Sequence, residues 1–93
     1  MSLQNGEMIG APCEIQPGPF PHEQLVAVDA EDGPLVGFAD PKDLHVIGGA
    51  RGFIKGIALD VSKDPIAVWV FGSFFRTSGF MRVRRELLKR LGP

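Results

Sequence analysis

Twelve glycines and eight prolines are spread along 93 residues, and that density limits what the chain can become. Proline removes a backbone donor and glycine loosens the backbone, so a long helix would be interrupted wherever it started. Short strands joined by tight turns suit such punctuation, which points to a small all-β or α+β domain. The apolar fraction of 44% is ordinary for a globular protein. A chain this short buries roughly two-thirds of its unfolded surface, enough for one core but not for a deep cleft as well.

Period-2 patterning then favours all-β. Pro12 to Gln16 reads as a short strand, ended by the proline-rich Pro17-Gly18-Pro19-Phe20-Pro21. Gln24 to Asp29 alternates, with Val26 and Val28 on one face and Leu25 and Ala27 on the other. Glu31-Asp32-Gly33-Pro34 is a turn with Gly33 free to take positive φ, and Leu35 to Ala39 returns as a second strand that places Val36 and Phe38 together. Asp40-Pro41-Lys42-Asp43 reads as a single helical turn, with Asp40 as cap and Pro41 at the first helical position. Leu44 to Ile47 is extended, Gly48 to Gly52 turns, and Phe53 to Val61 is a strand ended by Ser62-Lys63-Asp64-Pro65. Ile66 to Phe71 is apolar on both faces, so it is either central and covered twice or set against another chain. Phe80 to Arg84 alternates, Met81 and Val83 inward and Arg82 and Arg84 outward. Residues 85–91 suit a short helix, gathering Leu87, Leu88 and Leu91 on one side and Glu86 and Arg90 on the other.

The stretch Glu23 to Leu44, EQLVAVDAEDGPLVGFADPKDL, resembles the middle of bacterial SH3-type domains. Those pair a strand, a turn, a second strand ending in Gly plus an aromatic, and a short helical turn closing on an apolar residue. Gly37-Phe38 and Leu44 stand in those positions. The resemblance covers about a quarter of the chain and implies a fold only. The aromatic peptide groove of eukaryotic SH3 relatives finds no match here, because the chain has no Tyr and its one Trp sits mid-strand.

The charge is divided. From Gly72 to Pro93 there are six Lys or Arg against one Glu, a charge of +5, while residues 1–71 hold four Lys or Arg against ten Asp or Glu, a charge of −6. The sum is the formal net charge of −1. Five of the eight aromatics fall between Trp69 and Phe80. Trp69, Phe74, Phe75, Arg76, Arg82 and Arg84 are therefore the candidate partner-binding residues, with aromatic anchors inside and arginines at the rim. A protein partner or a second copy of the chain is expected, the acidic part of one meeting the basic part of another. Single-stranded nucleic acid is the alternative, through phosphate contacts from Arg76, Arg82 and Arg84 and stacking on the phenylalanines. The mildly acidic total weighs against that alternative.

Enzyme chemistry finds little foothold. His22 and His45 are the only histidines, and no HxH or HxxxH pair announces a metal. Cys13, the only cysteine, excludes an intrachain disulfide and lacks an evident neighbouring base, so it reads as a packed side chain. The glycines at 48, 49 and 52 with Arg51 fit neither GxGxxG nor GxxxxGK[ST] and read as a turn. The carboxylates Asp29, Glu31, Asp32, Asp40 and Asp43 lack the EF-hand order and read as a solvated face. No cofactor and no metal are expected, and a small enzyme with an unrecognised site ranks third among the functions.

The N-terminal MSLQNGEMIGA has neither the basic region nor the apolar run of a signal peptide. Residues 1–11 are read as a flexible tail ahead of a single β-barrel-like domain over residues 12–93. No run approaches the ~18 apolar residues of a membrane span, and a cytoplasmic, non-membrane setting is expected. The fold expected is a small SH3-like barrel or bent sheet of roughly five to six antiparallel strands, closed by a short C-terminal helix. The function expected is a non-catalytic binding or assembly module.

Overall fold

The computed structural model describes residues 2–91. The strands are β1 (Met8–Pro17), β2 (Gln24–Ala30), β3 (Gly33–Ala39), β4 (Leu44–Gly48), β5 (Arg51–Asp60), β6 (Ile66–Val70), β7 (Ser73–Phe74), β8 (Phe80–Val83) and β9 (Lys89–Arg90). Two single 3-10 turns, Pro41–Asp43 and Arg85–Leu87, are the only helical pieces among the described residues. All pairings are antiparallel, in the order β7-β3-β2-β1-β5-β6-β8, with β4 added to β5 and β9 to β1. The sheet curls on itself, because the Glu31 amide at the end of β2 donates to the Arg82 carbonyl in β8 at 2.7 Å. The result is an all-β half-barrel of nine strands, which matches an SH3-like fold only at this coarse level.

Its core is built from small and β-branched side chains. Ile9, Ala11 and Cys13 of β1 meet Val26 and Val28, Ile54 and Ala58, Ile66, Val68 and Val70, and Met81 and Val83. The alternations read for residues 24–29, 35–39 and 80–84 all hold. Gly33 takes φ 110°, and Asp40 caps its turn by accepting the Lys42 amide at 3.0 Å. Strand β6 lies between β5 and β8 with Ile66, Val68 and Val70 fully buried, while Trp69 on its other face is exposed.

Three expectations require correction. The C-terminal helix over residues 85–91 does not form. One 3-10 turn there leads into β9, where Lys89 and Arg90 pair with Gly10 and Ile9, and the Leu91 amide reaches the Met8 carbonyl at 3.2 Å. Seven residues are too few to offset helix nucleation when a strand offers its backbone groups instead. Asp64 accepts the Arg85 amide at 2.9 Å and Arg90 pairs with Glu7, so the i,i+4 contact of Glu86 with Arg90 is replaced by long-range ones. Leu88 packs against the core while Leu87 is exposed, so the three leucines do not share a face.

The second correction concerns residues 8–11, which belong to the central strand β1 rather than to a tail. Ile9 and Ala11 are fully buried, and the Gly6 amide is held by the Ala58 carbonyl at 2.6 Å. Pro12 sits inside this strand at the point where one edge of β1 changes partner from β9, at Ile9 and Gly10, to β2, from Cys13 onward. Its missing donor falls in that gap and leaves no bond unmade. Strand number is the third: nine rather than five to six, the excess being the short pieces β4, β7 and β9.

Candidate functional site

The most distinctive local geometry lies between β6 and β8. After Val70 the chain leaves β6, pairs β7 with β3 (Gly37 opposite Phe74, Phe38 opposite Ser73) and returns so that the Val70 amide meets the Gly79 carbonyl at 2.9 Å. The detour comes very close to β3. A Cβ on Gly37 would lie 2.4 Å from the Ser73 carbonyl oxygen and 2.7 Å from Phe74 Cα, so only glycine fits there.

Successive strand residues face opposite sides, and this separates the two adjacent phenylalanines. Phe74 turns inward against the core. Phe75 turns outward, 61% exposed, with its ring edge-on to Phe38 at 5.2 Å between centroids. The Phe75 amide donates to the Val36 carbonyl at 3.0 Å and fixes the loop against β3. Between them opens a cavity of about 410 Å³ lined by Pro34, Leu35, Val36, Phe75, Arg76 and Thr77. A second hollow of about 210 Å³ shares Leu35 and Thr77 with it and continues over Phe80, Met81 and Arg82 to Glu31 and Asp32. Phe80 stands opposite Trp69, which stands opposite Ile57, so an apolar row extends from the hollow across the outer face of β8, β6 and β5.

The arginines have different circumstances. Arg84 Nε lies 3.3 Å from Glu31. Arg82 carries its guanidinium 5.6 Å over the Phe80 ring. Arg76, at the mouth of the larger cavity, has no carboxylate within ion-pair distance among the described residues. Among the described residues Asp29 with Arg51 at 2.6 Å and Glu7 with Arg90 complete the pairs; Glu7–Arg90 and Glu31–Arg84 join the acidic and basic parts of the sequence within one chain. Being exposed, these pairs contribute little stability each.

Of the six candidates, then, Phe75 and Arg76 share the cavity, Arg82 lines its extension and Arg84 sits beside it on Glu31. Trp69 lies farther along the outer face, and Phe74 is in the core's margin. Pro34, Leu35, Val36 and Thr77 also line the cavity. The sequence signal for Val36 was its alternation with Phe38 on the face opposite Leu35; nothing local showed that residues 75–77 would cover that face.

Cys13 is fully buried, and that burial pushes its thiol up from 9.0 to about 11, with Arg51 acting slightly against it. Such a thiol is protonated at neutral pH and unavailable for nucleophilic attack. Asp60 accepts both the hydroxyl and the amide of Ser62, which hold its carboxyl below the usual range. Gly49, at φ 57°, turns the chain from β4 to β5. His22 and His45 are exposed, and no group of three metal-ligating side chains occurs among the described residues. Among the same residues no helix is long and apolar enough to cross a membrane. No protein-family model matches the chain, and no curated protein and no solved structure matches it significantly.

Proposed function

We propose that this protein is a non-catalytic binding module that docks a partner protein in the cavity between β3 and residues 75–77. The observation that carries the reading is Phe75: a large ring, mostly exposed, beside an open apolar hollow whose rim holds an arginine without a carboxylate. Aromatic side chains fixed at the edge of a preformed hollow make effective anchors, because little entropy remains to be lost on binding. A partner presenting an apolar side chain next to a carboxylate fits both features. Cys13, the only cysteine, forms no intrachain disulfide, which suits a cytoplasmic setting.

Phe20 provides an internal control, since it too is 61% exposed but borders none of these hollows. With a photoreactive phenylalanine analogue at position 75 or 20, crosslinking in the host cell is expected to give a discrete adduct from position 75 alone. Arg76→Glu should abolish it. Equal adduct patterns from both positions would dismiss the proposal.

Single-stranded nucleic acid is the second reading, favoured by the platform of Trp69, Phe80 and the Arg82 guanidinium. Arg84 speaks against it, being already paired with Glu31. Salt-dependent oligonucleotide binding that weakens in Arg82→Ala supports this reading; absence of binding at low salt ends it.

A further inference from the structure

Strand β4 pairs with β5 along one edge and, among the described residues, with no strand along the other. Its neighbours show which way its backbone groups point. The Ile15 amide donates to the Ala50 carbonyl and the Ala58 amide to the Glu7 carbonyl, so the even-numbered residues of β5 bond toward β1. The Phe71 amide donates to the Lys55 carbonyl, so the odd-numbered ones bond the other way. His45, opposite Phe53, therefore directs its amide and carbonyl at β5, while Val46, opposite Gly52, directs both away from the sheet. Leu44 obeys the same alternation, since its amide turns back to the Pro41 carbonyl.

This edge is also apolar. Val46 is 59% and Ile47 64% exposed, and Leu44–Gly48 contains no Asp, Glu, Lys or Arg. Free sheet edges are usually blunted by charge or proline, and here neither is present.

We propose that β4 is a homodimer interface, in which the β4 strands of two copies pair antiparallel about a twofold axis at Val46. The outward amide and carbonyl of Val46 are placed to pair with an extended strand, and a second β4 supplies one. With the axis at Val46, each copy donates to and accepts from the other at that residue, and the two valine side chains meet on one face. The same register sets His45 opposite Ile47 of the second copy. It also brings the Asp40–Asp43 turn, two carboxylates against Lys42, beside Arg51 of the second copy. Arg51 is half-exposed and retains donors beyond its bond to Asp29. Symmetry repeats that contact at the far end, so one arrangement satisfies both copies. The irregularity between Val46 and Gly48 shortens the ladder, which makes the dimer a weak one.

Sedimentation velocity across a concentration series on the full chain tests this, with Val46→Pro, Val46→Lys and Phe75→Ser alongside. Proline at 46 removes an amide that bonds no strand in the monomer, so the fold should tolerate it. Lysine covers the case in which the proline variant does not fold, by setting like charges face to face. The expected result is a reversible dimer weakened at least ~10-fold by either substitution at 46 and unchanged by Phe75→Ser. Exchange of the Val46 amide should slow as protein concentration rises. A monomer at every concentration, a dimer indifferent to position 46, or a dimer lost in Phe75→Ser would each overturn the proposal.

Discussion

Raising the pH should destabilise this protein through one atom, the Cys13 sulfur. Cys13 lies in the middle of β1, fully buried among valines and isoleucines, and desolvation pushes its thiol from 9.0 to about 11. The native state therefore keeps a proton that the unfolded chain gives up. A group raised in the native state contributes stability that is complete below its unfolded value and is lost as the pH climbs through the native one. The window is thus about pH 9 to 11. Two pKa units at 1.36 kcal/mol each set the loss at about 3 kcal/mol, a large share of what a domain this small holds. The assay is urea unfolding of the wild type and of Cys13→Ala at several pH values across that window. Alanine leaves a small void that costs stability equally at every pH. The difference between the two curves therefore isolates the thiol, and the wild type should lose about 3 kcal/mol relative to Cys13→Ala as the pH rises. A thiol-specific reagent should also leave native Cys13 untouched near neutral pH. Parallel stability curves, or rapid modification of the folded protein, would refute the burial argument and reopen cysteine chemistry.

Other predictions follow from close approaches and from exposed pairs. Gly37→Ala places a Cβ 2.4 Å from the Ser73 carbonyl oxygen and should destabilise the fold by about 1–3 kcal/mol on denaturant titration, splaying residues 73–77 from β3. Gly48→Ala meets nothing within 4 Å and keeps a negative-φ site, so it should stabilise by about 0.4–1 kcal/mol, whereas Gly49→Ala, at φ 57°, should not. The Arg90 guanidinium holds the Glu7 carboxyl below the usual carboxylate range, a contribution that is present at neutral pH and disappears on acidification through the lowered value. NMR titration of Arg90→Ala should show the Glu7 carboxyl moving up, with β9 amides exchanging faster; an unmoved Glu7 would dismiss the pair as incidental.

Most of the fold was legible where the determinants are local. The β2–β3 hairpin announces itself through Val26 and Val28, a glycine able to take positive φ, and the return strand; Met81 and Val83 do the same for β8. The C-terminal segment was misread for a reason that lies at the opposite end of the chain. Leu87, Leu88 and Leu91 fit a helical stripe, and what decides against it is the backbone of Met8, Ile9 and Gly10. Assigning residues 1–11 to a tail removed the strand that β9 joins, so the two errors are one. The strand read from Pro12 onward was cut short at its N-terminal end, and Pro12's place inside β1 depends on a change of partner along the strand that no local pattern reveals.

The candidate site was hidden by the same kind of non-local choice. On β5 the larger side chains Phe53, Ile57 and Leu59 share the outer face, while Gly52, Ile54, Gly56 and Ala58 fill the inner one. A narrow half-barrel has room inside for small residues, so size and burial run opposite to the usual expectation, and apolar surface is left over outside. Which of Phe74 and Phe75 joins that surface depends on parity against β3, set by the approach at Gly37. Shifting that register by one residue would bury Phe75, expose Phe74 and erase the cavity. The binding surface proposed for this protein is therefore specified less by the aromatic cluster itself than by a glycine on a strand some 37 residues earlier in the chain than Phe74.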